Sequence, residues 1–183
     1  MTENKNSCKS IENIKNYWND RPCNLNHSKL EKGSREYFDE VETKKHFVES
    51  HILKFADFSN CNNLKVLEIG CGLGTAAVNF IRNGANYTGI ELSDESLKLT
   101  NQRFNIYNLS GELYNINAEE DISFLGLNSF DLIYSFGVIH HSPDPKKIVE
   151  NVYKLLKPGG VFKLMLYSEN SWKKMLIDNE QEQ

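Results

Sequence analysis

The sequence predicts an α/β protein: a doubly wound, mostly parallel open sheet behind an N-terminal helical layer. Three observations carry that expectation. From Leu64 onward, short apolar runs alternate with amphipathic stretches five times. The first run, Val66-Leu67-Glu68-Ile69, breaks into a turn with glycines at 70, 72 and 74 and then becomes helix-like. The segment before it shows only helical periodicity.

In chain order, residues 1–9 are polar, and Ile11, Ile14, Tyr17 and Trp18 then fall at helical spacing. Arg21-Pro22 stops that helix, because a residue ahead of proline is pushed out of the helical region. Pro22, several asparagines and Gly33 predict a loop over 22–33. Tyr37, Phe38, Val41, Phe47, Val48, Ile52, Leu53 and Phe55 predict one long helix over 34–56. The alternating part reads as strand 64–70, helix 73–83, strand 86–92, helix 94–107 and strand 111–116. It continues as a short helix near 118–125, strand 129–136, helix 144–156 and strand 160–167. Strands joined through helices run parallel with right-handed crossovers, so helices cover both faces and a ligand belongs at the strands' carboxyl ends. The expected units are a helical cap or lid over 1–60 and the α/β domain over 61–183.

A chain of 183 residues, 39% apolar and 25% charged, suits one ordinary globular domain. With a net charge of −4, and with Lys44-Lys45 and Lys146-Lys147 as short pairs rather than a basic stripe, nucleic acid is disfavoured as a partner. Cys8, Cys23, Cys61 and Cys71 show no C-x-x-C spacing, and the start MTENKNSCKS has no apolar signal core. No apolar run approaches the ~20 residues that cross a bilayer. The expectation is a cytoplasmic protein with reduced thiols and no membrane span.

The glycine turn poses the functional question. A tight strand-to-helix turn uses one or two glycines, whereas three on alternate positions point to a ligand lying against bare backbone. Gly72-Leu73-Gly74-Thr75-Ala76-Ala77 satisfies G-x-G-x-x-A, and Glu91 stands near the place of a dinucleotide's ribose-binding acid. That motif alone would allow an NAD-dependent oxidoreductase.

Further motifs separate the readings. Glu68-Ile69-Gly70-Cys71-Gly72-Leu73-Gly74 reads as E/D-x-G-x-G-x-G. It is followed in order by Gly89-Ile90-Glu91-Leu92-Ser93, Asn117-Ala118-Glu119, the run FDLIYSFGVIHH from Phe130 to His141, and LLKPGG from Leu155 to Gly160. In these motifs, over about residues 64–167, the chain resembles the class I S-adenosylmethionine-dependent methyltransferases. The resemblance implies a Rossmann-like methyltransferase fold, S-adenosylmethionine as cofactor with S-adenosylhomocysteine as product, and a small-molecule methyl acceptor.

It also implies site residues. Gly70, Cys71, Gly72 and Gly74 would lie along the cofactor, with Glu68 near its ammonium end. An unpaired charge inside a strand is costly, so Glu68 should face a cation or bond backbone amides. Glu91 would accept the ribose hydroxyls and Leu92 pack on the adenine. Asn117 stands where the family commonly has Asp directed to the adenine amino group; the competing reading of Asn117-Ala118-Glu119 is a helix cap. Ser135, Phe136 and Gly137 would lie along the methionyl end. His140 and His141 are candidates for a catalytic base, against the alternative that one packs and the other bonds within its loop. Tyr17, Trp18, Tyr37, Phe38 and Arg21 form an aromatic group with one cation; Arg21 and Tyr37 are the substrate candidates, while Trp18 and Phe38 are expected to staple helices to the core. No metal site is expected, and His27, His46 and His51 read as ordinary.

Members of that family add a helix and two antiparallel strands after the fifth strand. Here only Asn170–Ile177 reads as a following helix, so the α/β domain is expected to be truncated after its fifth strand. That leaves Val161–Tyr167 as an apolar edge, which predicts self-association or a partner chain if the sequence is not simply a fragment. The competing functional reading is a non-catalytic S-adenosylmethionine-binding module or partner subunit.

Overall fold

The computed structural model describes residues 10–168; the helix expected near Asn170–Ile177 lies outside them. Helix α1 (Ile11–Asp20) begins where the Ser10 hydroxyl accepts the Asn13 N–H at 3.1 Å and ends ahead of Pro22. A 3₁₀ turn at Leu25–His27 leads to α2 (Arg35–Val48), capped in the same way by Ser34 on the Tyr37 N–H. The one helix expected over 34–56 is in fact two. The chain turns at Glu49 and Ser50 and resumes as α3 (His51–Ala56). The apolar residues that suggested continuity do not share a buried face: Phe47 is 85% exposed, while Ile52 and Ala56 are buried.

Strands β1 (Lys65–Ile69), β2 (Asn86–Glu91), β3 (Glu112–Asn115), β4 (Phe130–Phe136) and β5 (Leu156–Met165) form one parallel sheet among the described residues, in the order β3-β2-β1-β4-β5. Helices α4 (Thr75–Arg82), α5 (Asp94–Tyr107) and α6 (Pro145–Leu155) make the connections, and the short helix expected near 118–125 contracts to a 3₁₀ turn at Ser123–Leu125. β5 starts earlier than expected, straight from α6. Its register slips between the pairs Phe130–Leu156 and Leu132–Val161, where the Pro158-Gly159-Gly160 segment bulges opposite Asp131.

Both faces of the sheet are buried. Val66, Tyr87, Leu132 and Tyr134 pack with Phe80 of α4 and Phe104 of α5, while Leu67, Ile69, Ile90 and Ile133 pack with Ile148 and Val152 of α6. Two-sided burial explains why the strands read as nearly continuous apolar runs. Tyr37, Phe38 and Val41 of α2 join Leu73 and Leu99 in a third cluster, which fastens the N-terminal layer beside the glycine turn. The chain leaves β1 toward β2 on one side and places β4 on the other, so the sheet's order reverses at β1 and opens a crevice at the carboxyl ends there. Among the described residues no helix is long and apolar enough to cross a membrane.

Candidate functional site

A cavity of about 420 Å³ occupies that crevice, a size usual for small-molecule sites. Its floor is the run Glu68–Leu73, the end of β2 at Ile90–Leu92, and Phe136–Val138 beyond β4; its roof includes Ile11, Ile14 and Trp18 of α1 and Lys45 and His46 of α2.

The three glycines of the turn do different work. A Cβ on Gly70 would stand 2.5 Å from Val138 Cγ2, and one on Gly74 2.9 Å from Thr100 Cγ2, so these two let the chain pack against itself. Gly72 has φ +55°, and a Cβ there would meet no protein atom within 4 Å. It would project into open space beside the floor, so Gly72 keeps bare backbone on the cavity.

Glu91, at the tip of β2, is bound to this turn. Its Oε2 accepts the Gly72 N–H at 2.8 Å and its Oε1 the Ser93 N–H at 2.9 Å. Burial raises its pKa, and these amide bonds act against the rise. Asn115 donates to the Glu91 and Leu92 carbonyls at 3.0 and 3.2 Å, holding the tip from the side of β3. From behind, α5 grips the turn's carbonyls: Thr100 Oγ1 donates to Gly72 O at 2.6 Å, and Arg103 donates to Leu73 O at 3.3 Å.

Glu68 is 5% exposed and lines the cavity. Of the two expected arrangements, a cation or backbone amides, the Lys45 ammonium acts on it electrostatically, and its hydrogen bond comes from a third source, the Tyr87 hydroxyl, which donates to its Oε2 at 2.7 Å. Desolvation pushes its carboxyl up to about 8, with the Tyr87 hydrogen bond and the Lys45 ammonium pulling the other way.

The other expected residues divide. Cys71, Leu92, Asn117, Ala118, Phe136, Gly137 and His141 line the cavity. Asn117 also caps locally, its Oδ1 accepting the Glu119 N–H at 3.0 Å. Glu119 is not among the lining residues: its carboxylate accepts from Ser142 Oγ and from the Asp144 N–H, and so anchors the loop after β4. Ser135, wholly buried, donates to Ile69 O at 3.2 Å and clips β4 to β1 outside the cavity. Of the histidine pair, His141 faces the cavity beside Trp18, with ring centroids 5.3 Å apart, whereas His140 packs 4.5 Å from the Tyr167 ring.

The N-terminal expectations need correction. Arg21 lies over the Tyr17 ring outside the main cavity. Tyr37 is 2% exposed and donates to Leu25 O, so it is a core residue. Phe38 is buried as expected, but Trp18, expected to be a staple, borders the cavity. His27 and His46, read as ordinary, also line it, as does Lys45, whose ammonium lies 5.9 Å from the Phe136 ring centroid. No local motif marks these residues. Their signal is the docking of the helical layer, which one sequence does not carry.

Comparison with known proteins agrees with this architecture. Ubiquinone biosynthesis O-methyltransferase of Psychrobacter cryohalolentis is 33% identical over 132 residues, covering 72% of this chain and 51% of that protein. The chain thus spans about half the length of the curated relatives it matches. Geranyl diphosphate C-methyltransferase from Streptomyces coelicolor, solved with S-adenosyl-L-homocysteine, superposes with a TM-score of 0.62 at 19% identity, over 83% of this chain and 62% of that one. The [4+2]-cyclase SpnF has the same fold with a TM-score of 0.60 at 17% identity, over 84% and 59% of the two chains. The family model described as methyltransferase domain matches residues 67–162, from β1 into β5 and across every strand tip that lines the cavity floor. The chain belongs to the methyltransferase domain family.

Proposed function

We propose that this cavity binds S-adenosylmethionine and that the protein transfers its methyl group to a hydroxyl oxygen of a small molecule. The observation that carries the reading is the open face of Gly72, set between the carboxylates of Glu68 and Glu91. The ligand is a sulfonium with a zwitterionic amino-acid end, and the residues present suit it. Lys45 offers a positive charge for the carboxylate, and Glu68, held protonated by burial in the free protein, offers a carboxyl whose ionised form a bound ammonium would favour. Glu91, its oxygens already oriented by two amides, retains lone pairs for ribose hydroxyls. Leu92, Ile116, Ala118 and Ile148 give an apolar slot for adenine, with Asn117 at its edge. Cys71, Phe136 and Gly137 border the methionyl end, while Gly70, Gly74, Ser135 and Glu119 hold the floor in shape. The bound cofactor supplies an activated methyl group. The chain's part is to align the acceptor in a water-poor space beneath the cap of helices α1 to α3. The choice of oxygen follows the relatives named O-methyltransferase. This reading assigns the protein to the cytoplasm. It assigns the outer edge of β5, where Val161 is 50% exposed, to self-association or a partner chain, which sedimentation tests by a mass that rises with concentration.

Calorimetry separates the alternatives. S-adenosylhomocysteine should bind and NADH should not. Gly72→Ala should weaken the binding at least tenfold, because its Cβ enters the cavity, while the left-handed conformation costs about 1–2 kcal/mol of stability. Equal affinity for NADH, or an unaffected Gly72→Ala variant, would sink the cofactor assignment. Binding with no methyl transfer from S-adenosylmethionine to any hydroxylated acceptor would favour the non-catalytic module.

A further inference from the structure

The roof of the cavity carries two imidazoles for which the cofactor has no use. His27 ends the 3₁₀ turn Leu25–His27 and His46 sits in the last turn of α2; both line the cavity, with Asn24 and Lys45 beside them. The turn is held in place by a buried Pro22 and by Asn24, whose φ of 67° lies in the left-handed region and whose carbonyl accepts the His27 N–H at 3.0 Å.

Nδ1 of His27 is buried with no partner among the described residues, and the Val41 backbone lies beside the ring. A neutral ring that carries its proton on Nε2 leaves a lone pair on Nδ1. The charged groups facing His27 are Lys44, Lys45 and Glu49; burial and the two lysines outweigh Glu49 and favour the neutral ring. His46 Nε2 is likewise buried without a partner, and its ring is shifted the same way by burial, with Lys45 and Arg103 opposed by Glu42. A buried lone pair of this kind is satisfied by a donor, not by an anion or a second acceptor.

Resting on the reading of the cavity as a methyl-transfer site, we propose that His27 and His46 form the acceptor subsite. They select a neutral hydroxylated small molecule by accepting the hydroxyl's hydrogen bond at His27 Nδ1. The carbon frame of the acceptor lies against Ile11, Ile14, Trp18 and Val48, which also line the cavity. The subsite discriminates between a hydroxyl and the methyl ether made from it, because the ether has no proton to donate. Product therefore leaves more readily than substrate.

The test uses the full chain saturated with S-adenosylhomocysteine. Long-range proton–nitrogen spectra at pH 7 should show His27 neutral with its proton on Nε2; an imidazolium or the opposite tautomer overturns the proposal without any acceptor being known. A panel of phenol, catechol, cyclohexanol and cinnamyl alcohol is then titrated, each against its fully methylated ether. At least one hydroxyl compound should shift the His27 Nδ1 resonance and bind at least tenfold tighter than its ether. His27→Ala should reduce that preference to within twofold and leave S-adenosylhomocysteine affinity unchanged, and His27→Asn, which keeps an acceptor, should restore part of it. A preference that survives His27→Ala, or a panel that leaves His27 unmoved throughout, overturns the subsite. Failure of the wild-type protein to bind S-adenosylhomocysteine overturns instead the reading on which it rests.

Discussion

Glu68 shows most clearly how a single residue couples the site to the stability of the fold. Its carboxyl lies under the sheet's carboxyl edge with Tyr87 as hydrogen-bond donor and Lys45 and Glu91 as the charges that face it, and desolvation holds it at about 8 against an ordinary 4.5. Between those values the native state keeps a proton that the unfolded chain has released. Stability of the ligand-free protein should therefore fall as pH rises from 4.5 to 8, by at most about 1.4 kcal/mol per pH unit from this group. Glu68→Gln should flatten that part of the profile in urea midpoints taken at pH 5, 6, 7 and 8. An unchanged slope would mean that Glu68 is ionised throughout. At this scale the sequence was informative where function is written in consecutive residues: Glu68, Gly72 and Glu91 all reach the cavity. It was silent on Lys45, His27 and His46, which approach from a layer whose docking depends on contacts remote in the chain.

Helix α5 carries the argument from residues to elements. Its limits, 94–107, could be read from the Ser93 cap and the following periodicity, and the Ser93 hydroxyl does accept the Ser96 N–H at 3.1 Å. What the pattern did not disclose is its role as a clamp. Thr100 and Arg103, one turn apart, reach the back of the glycine turn, and Arg103, at 0% exposure, also donates to Thr75 Oγ1 at 2.9 Å and Glu42 Oε2 at 2.5 Å. Glu42 of α2 receives Asn79 and Arg82 of α4 as well, at 2.9 and 3.3 Å, so three helices meet on one carboxylate. A mid-helix arginine looks like a solvated charge in sequence, because its partner is sixty-one positions away. Removing Arg103 takes the buried charge from this cluster and leaves Glu42 with only Asn79 and the more exposed Arg82. Arg103→Met should therefore cost about 3–5 kcal/mol in urea unfolding. Glu42→Leu combined with it should cost clearly less than the two single changes added together. Strict additivity would show that the pair does not act as a unit.

At the scale of the whole molecule, the sheet and the helical layer are joined unequally. Strand and helix alternation was enough to predict a parallel sheet, but not the order β3-β2-β1-β4-β5, because connections of similar length can carry the chain to either side of β1. That order puts the crevice where the N-terminal layer crosses it, and the layer is attached unevenly. α2 is fastened by Phe38 and Val41 in the core and by the Glu42–Arg103 pair. α1 has no buried residue; it is held by the exposed Lys15–Asp94 pair at 2.9 Å and by the Ser93 hydroxyl on Trp18 O at 3.2 Å, contacts worth little in water. Yet α1 supplies Ile11, Ile14 and Trp18 to the cavity, so a ligand would give this helix the apolar contacts that the protein alone does not. Local opening should follow this division. In native-state hydrogen exchange, α1 amides should exchange at least a hundredfold faster than those of α2 in the free protein, and S-adenosylhomocysteine should slow α1 by about tenfold while leaving α2 nearly unchanged. Equal protection of the two helices without ligand would mean that the cap is a rigid wall, and entry to the cavity would then have to be sought elsewhere in the molecule.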